Sequence, residues 1–106
     1  MNTTQQQVFK WVRQCFGDNV AKSRPERRER FAEEALELMK ASGMTKDEVY
    51  RLAEYVYNRP TGEFSQEVAG VCITLDALAA SEGVDRVFDD NVLQTPSPRP
   101  LHRQPP

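Results

Sequence analysis

Arg30-Phe31-Ala32-Glu33-Glu34-Ala35-Leu36-Glu37-Leu38-Met39 is the stretch that sets the reading of this chain. At about 100° per residue, Phe31, Ala32, Ala35, Leu36, Leu38 and Met39 sweep one continuous apolar arc. Glu33, Glu34 and Glu37 fill the rest of the circle. A helix with such a face packs on other helices. Glu34, beside Leu38, then falls at the margin of the packed side. A carboxylate there is partly desolvated, which is unfavourable unless a cation or hydrogen-bond donors compensate.

Residues 66 to 81, Gln-Glu-Val-Ala-Gly-Val-Cys-Ile-Thr-Leu-Asp-Ala-Leu-Ala-Ala-Ser, are apolar almost all the way round and carry charge only at Glu67 and Asp76. That pattern predicts a helix buried at the centre of a bundle. Asp76 falls opposite Glu67, while Gly70, Val71, Thr74 and Leu78 share Glu67's side, so Glu67 is the carboxylate expected to point inward. Paired against it is the plain structural reading, an inward Glu compensated by an Arg or a Tyr.

The remaining elements follow outward from these two. Val8, Trp11, Val12 and Cys15 are spaced i, i+3, i+4, i+7 and predict a first helix from Thr4 to Phe16, stopped by Gly17. Pro25 opens the acidic helix, which ends near Gly43. Thr45-Lys46-Asp47-Glu48 reads as a capping box, opening a third helix whose Val49, Leu52, Ala53 and Val56 face inward and which finishes before Pro60. Gly83 ends the fourth helix, and Val84, Val87, Phe88 and Val92 are in register for a short fifth. The expectation is an all-α bundle of four to five helices over residues 1–93. Residues 94–106 hold five of the seven prolines and form a Pro-rich tail that cannot continue a helix.

Composition narrows the function classes. The chain has 106 residues, 39% hydrophobic, so its private core is modest and would gain from a partner subunit. A net charge of −2 offers no general attraction to a nucleic acid polymer or to an anionic membrane. No run of about 18 apolar residues exists, and the polar start Met1-Asn2-Thr3-Thr4-Gln5 lacks the basic and apolar regions of a signal peptide, which predicts a cytoplasmic protein. Cys15 and Cys72 lack the spacing of a zinc or redox pair and are read as buried thiols. The single histidine, His102, lies in the tail, so nucleophilic triads have no place to form. Metal-assisted hydrolysis survives this elimination, because two helices with inward carboxylates suit a hard divalent cation.

Glu33-Glu34-x-x-Glu37 followed by Glu67 resembles the E-E-x-x-E then E-x-x-D signature of the all-α nucleoside triphosphate pyrophosphohydrolases, the MazG-like superfamily. The resemblance covers roughly residues 5 to 90, and Ala69-Gly70-Val71-Cys72-Ile73-Thr74-Leu75 matches the second motif helix in pattern. It implies a MazG-like bundle completed by dimerisation or a higher self-assembly. It also implies Mg²⁺, with Mn²⁺ as a substitute, held by Glu34, Glu37 and Glu67, and a catalytic Glu33 that completes the shell or orients water. The implied reaction cleaves a nucleoside or deoxynucleoside triphosphate between the α and β phosphates, to a monophosphate and pyrophosphate.

One position departs from the signature: Gly70 stands where the family carries Asp, three residues after Glu67. Asp85, Asp89, Asp90 or Glu63 are the candidate substitutes. Two rivals therefore remain, a catalytically weakened MazG-like nucleotide-binding or regulatory module, and a plain helical interaction protein with a solvated acidic face. Lys22, Arg24, Arg27, Arg28 and Arg30 also carry two readings. They suit triphosphate oxygens, and equally they suit helical pairs such as Arg30 with Glu34, worth about 0.3–0.5 kcal/mol when exposed. Trp11 is read as packing rather than as a base-stacking ring.

Overall fold

Asn2 opens the first helix by accepting the Gln5 amide on its side-chain oxygen at 2.8 Å, which satisfies one of the helix's orphan donors. In the computed structural model, which describes residues 1–86, five helices follow, all without strands: α1 (Thr3–Phe16), α2 (Asp18–Lys22), α3 (Arg24–Ala41), α4 (Lys46–Tyr57) and α5 (Phe64–Ser81). The described residues divide into two units, Met1–Met44 and 45–86.

In the first unit, Gly17 turns α1 into α2 at φ 85°, a backbone that L side chains rarely adopt. Its amide donates to the Arg13 carbonyl at 2.8 Å. Helix α2 has no periodic signal in the sequence, because five residues are too few to show a period. It matters to the packing nonetheless, since α2 packs on both α1 and α3. Ala21 of α2 and Val12 of α1 are buried, with Trp11, Cys15, Phe16 and Val20 half-buried. Val8 stays at the edge, exposed. Ser23 then caps α3, its hydroxyl accepting the Glu26 amide at 3.4 Å, and Pro25 occupies the first turn. Gly43, at φ 97°, closes α3: its amide donates to the Lys40 carbonyl and the Met44 amide to the Met39 carbonyl, both at 3.1 Å.

The second unit begins with the capping box at the expected residues. Thr45 Oγ1 accepts the Glu48 amide at 3.2 Å, and Glu48 Oε1 accepts the Thr45 amide at 3.0 Å. The Thr45 backbone bond and then its hydroxyl hold the Glu48 carboxyl below the usual range. This stabilisation is present above the ordinary Glu pKa and is lost as pH falls through the depressed value. Thr45→Ala is expected to destabilise the chain by about 1 kcal/mol in urea unfolding, and an unchanged midpoint would count against the cap. Gly83, at φ 70°, closes α5 as Gly43 closes α3, with the Val84 amide donating to the Ala79 carbonyl at 2.9 Å.

Burial of the second unit departs from the sequence expectation. The segment 66–81 reads as a central helix, yet only Leu75, Leu78 and Ala79 of α5 reach half-burial, and Val68 and Val71 are 45% and 43% exposed. On α4, Val49 is half-buried while Leu52, Ala53 and Val56 are exposed. The physical reason is that α4 and α5 do not pack extensively on each other, and a helix that is apolar all round needs neighbours on every side. Cys72 is consequently exposed and Cys15 half-buried, both as free thiols, where buried thiols are expected. Residues 84–86 are not helical. The rest of the expected fifth helix, Asp89, Asp90 and the tail 94–106 lie outside the described residues. Among the described residues no helix is long and apolar enough to cross a membrane.

Candidate functional site

The acidic side chains of α3 occupy one flank because 33, 34 and 37 are spaced i, i+1, i+4 on a helix fixed at its start by Ser23 and Pro25. All three are half-buried, and Oε1 of Glu37 is shielded from solvent. One turn earlier, Arg30 gathers two of them. Its Nη1 lies 2.6 Å from Glu33 Oε1 and its Nη2 lies 3.4 Å from Glu34 Oε1. The Arg30 and Glu33 side chains are 19% and 24% exposed, so this pair is less screened by water than an ordinary surface ion pair. Arg30 therefore follows the structural reading of the basic cluster. Arg24, Arg28 and Lys22 remain exposed beside it.

Glu67 stands in the first turn of α5, in the second unit, and is exposed rather than inward-pointing. Its carboxylate lies against Gly62: a Cβ built on that glycine would sit 3.1 Å from Glu67 Cδ and 3.2 Å from Oε2. Gly62 shows no positive φ, so room for the carboxylate is what a side chain there would take away. Asp76 is held by an ion pair with Arg86, which lowers its carboxyl pKa chiefly through the side-chain hydrogen bond. The structure thus joins Glu33 and Glu34 through Arg30 and carries Glu67 on the other unit. Among the described residues, no three His, Cys, Asp or Glu side chains stand close enough to hold a metal ion.

Two of the proposed substitutes for the missing Asp can be placed. Glu63 is the N-cap of α5, its carboxylate accepting the Ser65 and Gln66 amides at 3.3 Å and the Ser65 hydroxyl at 2.7 Å. The Ser65 hydroxyl, then its amide, lower the Glu63 pKa. Asp85 is exposed and non-helical. At Gly70 itself a Cβ would meet nothing within 4 Å.

The connection 58–62 shows no periodicity or motif in the sequence, yet it borders a site of its own. Tyr57, Arg59, Gly62, Phe64 and Glu67 line a concavity of about 690 Å³. The Arg59 guanidinium sits 4.7 Å from the centroid of the Tyr55 ring, within cation–π range. Tyr57 and Phe64 stand either side of Arg59 in the sequence, but neither spacing nor periodicity places them around one concavity. No family profile, curated protein or solved structure matches the chain.

Proposed function

We propose that the chain is a MazG-like, Mg²⁺-dependent pyrophosphohydrolase of nucleoside or deoxynucleoside triphosphates, working as a dimer or higher self-assembly. The observation that carries this reading is the half-buried flank of α3, where Glu33, Glu34 and Glu37 stand partly shielded from water in the order that precedes Glu67 of α5. The donor chemistry fits the ion, since Mg²⁺ takes oxygen ligands and keeps waters. In this reading Glu34, Glu37 and Glu67 hold the cation and Glu33 orients the attacking water. When bound, the cation neutralises phosphate charge and lowers the pKa of water. Water oxygen joins the α-phosphorus and releases its proton to solvent, the bond to the α–β bridging oxygen breaks, and pyrophosphate leaves with that electron pair.

Incubating the full chain with Mg²⁺ and each of the common ribo- and deoxyribonucleoside triphosphates should release pyrophosphate from at least one, and chelation should stop it. Silence across the whole panel would remove the hydrolase. Gly70 favours the second reading, a nucleotide-binding or regulatory module with a weakened metal shell. Gly70→Asp separates the two. The position has room for the side chain, and replacing a helix-interior glycine adds a few tenths of a kcal/mol of helix propensity. It is expected to raise Mn²⁺ affinity about tenfold by a fourth carboxylate one turn from Glu67. A folded variant with unchanged Mn²⁺ calorimetry means that Gly70 is no vacant ligand position.

A further inference from the structure

We propose that the concavity between the end of α4 and the start of α5 is a nucleotide-base subsite, in which Tyr57 and Phe64 flank the base and Arg59 takes a phosphate oxygen of the same molecule. The inference rests on the nucleotide chemistry proposed above and names the part of the site that meets the base.

Tyr57 and Phe64 line the concavity from α4 and from α5, and they are 88% and 75% exposed. Large rings left in water are platforms for another planar group, and every base has a π-face to offer. The charges beside them narrow the occupant. Arg59 and Glu67 line the same concavity, and covering it with the apolar helix face of a second copy would desolvate both at a cost that apolar contact does not offset. A nucleotide presents an aromatic plane and an anion together, which matches two rings and a guanidinium. Arg59 makes no ion pair among the described residues and lies against the Tyr55 ring, so its planar donor edge is pre-oriented.

The site is also pre-organised. Pro60 fixes one backbone torsion of the connection, and the Glu63 cap holds the first turn of α5. That cap already takes the Ser65 and Gln66 amides, so the phosphate is assigned to Arg59 and not to the helix terminus. Gly62, by lacking a Cβ, lets the Glu67 carboxylate fold back against the loop.

The test is calorimetric titration of the full chain in EDTA with the nucleoside 5′-monophosphates, repeated on Tyr57→Ala, Phe64→Ala and Arg59→Gln. The wild type should bind at least one with a base preference. Each aromatic truncation should weaken it at least about fivefold, the lower end of base–aromatic stacking, and Arg59→Gln should bring a monophosphate down to the affinity of its nucleoside. Because both rings are exposed, thermal melting should be unchanged. No binding by the wild type, or equal binding by both aromatic variants, overturns the subsite. So does a change of mass in light scattering with nucleotide affinity intact, which would give the rings to a second copy. A chain that binds monophosphates through these rings yet cleaves no triphosphate sinks the hydrolase and keeps the subsite. A working hydrolase indifferent to both truncations does the reverse.

Discussion

Glu67→Gln is expected to lower Mg²⁺-dependent pyrophosphate release by about 100-fold or more, since even outer-shell partners of a metal cost about 10–100-fold. Gln keeps the shape and removes the charge. The exposure of Glu67 means that little folding energy depends on it, so helix content and the urea midpoint should not move. Glu37→Gln should match the loss of activity and of Mn²⁺ affinity. Asp76→Asn is the control. It removes an exposed ion pair with Arg86 on the face of α5 opposite Glu67, and activity should survive. If Glu67→Gln and Glu37→Gln both keep wild-type Mn²⁺ binding by calorimetry, the carboxylates are not ligands and the α3 flank is a solvated acidic face.

How much of this was legible beforehand depends on the range of the physics at each residue. Helix class and boundaries are local. Thr45 to Glu48 spells its own capping box, and Gly43 and Gly83 supply the positive φ that closes α3 and α5. Periodicity needs about three turns to show, which is why the five residues of α2 carried no signal although Ala21 is fully buried. Burial is not local. The uniform apolarity of 66–81 predicts a central position, but α4 alone cannot surround α5. The pairing of Arg30 with Glu34 was visible from the i, i+4 spacing, and the same guanidinium also reaches Glu33 at i, i+3. The concavity at Arg59 was not legible, because it depends on how the connection folds the Glu67 carboxylate back onto Gly62. Nothing in a spacing encodes that.

The uncovered helices lead to the other large expected effect. Val68, Val71, Leu75 and Leu78 recur at i, i+3, i+7, i+10 along α5, the spacing of a helix-packing seam, and α4 leaves Leu52 exposed as well. A second copy is the occupant proposed for this seam, so light scattering in EDTA at micromolar concentration should give at least twice the chain mass of 12.1 kDa. Val71→Asp, in the middle of the seam, should return the mass to that of one chain. Losing the buried Val contributes about 1.5–3 kcal/mol, and an unpaired carboxylate in an apolar contact adds a further penalty of several kcal/mol. In a two-fold interface each change acts twice. Association should therefore weaken by on the order of 10³-fold or more, at about 1.4 kcal/mol per factor of ten. In a chain that functions alone, the same substitution at a 43% exposed position would alter little. A wild type that runs as a stable monomer, or a Val71→Asp variant that keeps the full assembly mass, removes the second copy from the seam and leaves α5 to a different partner.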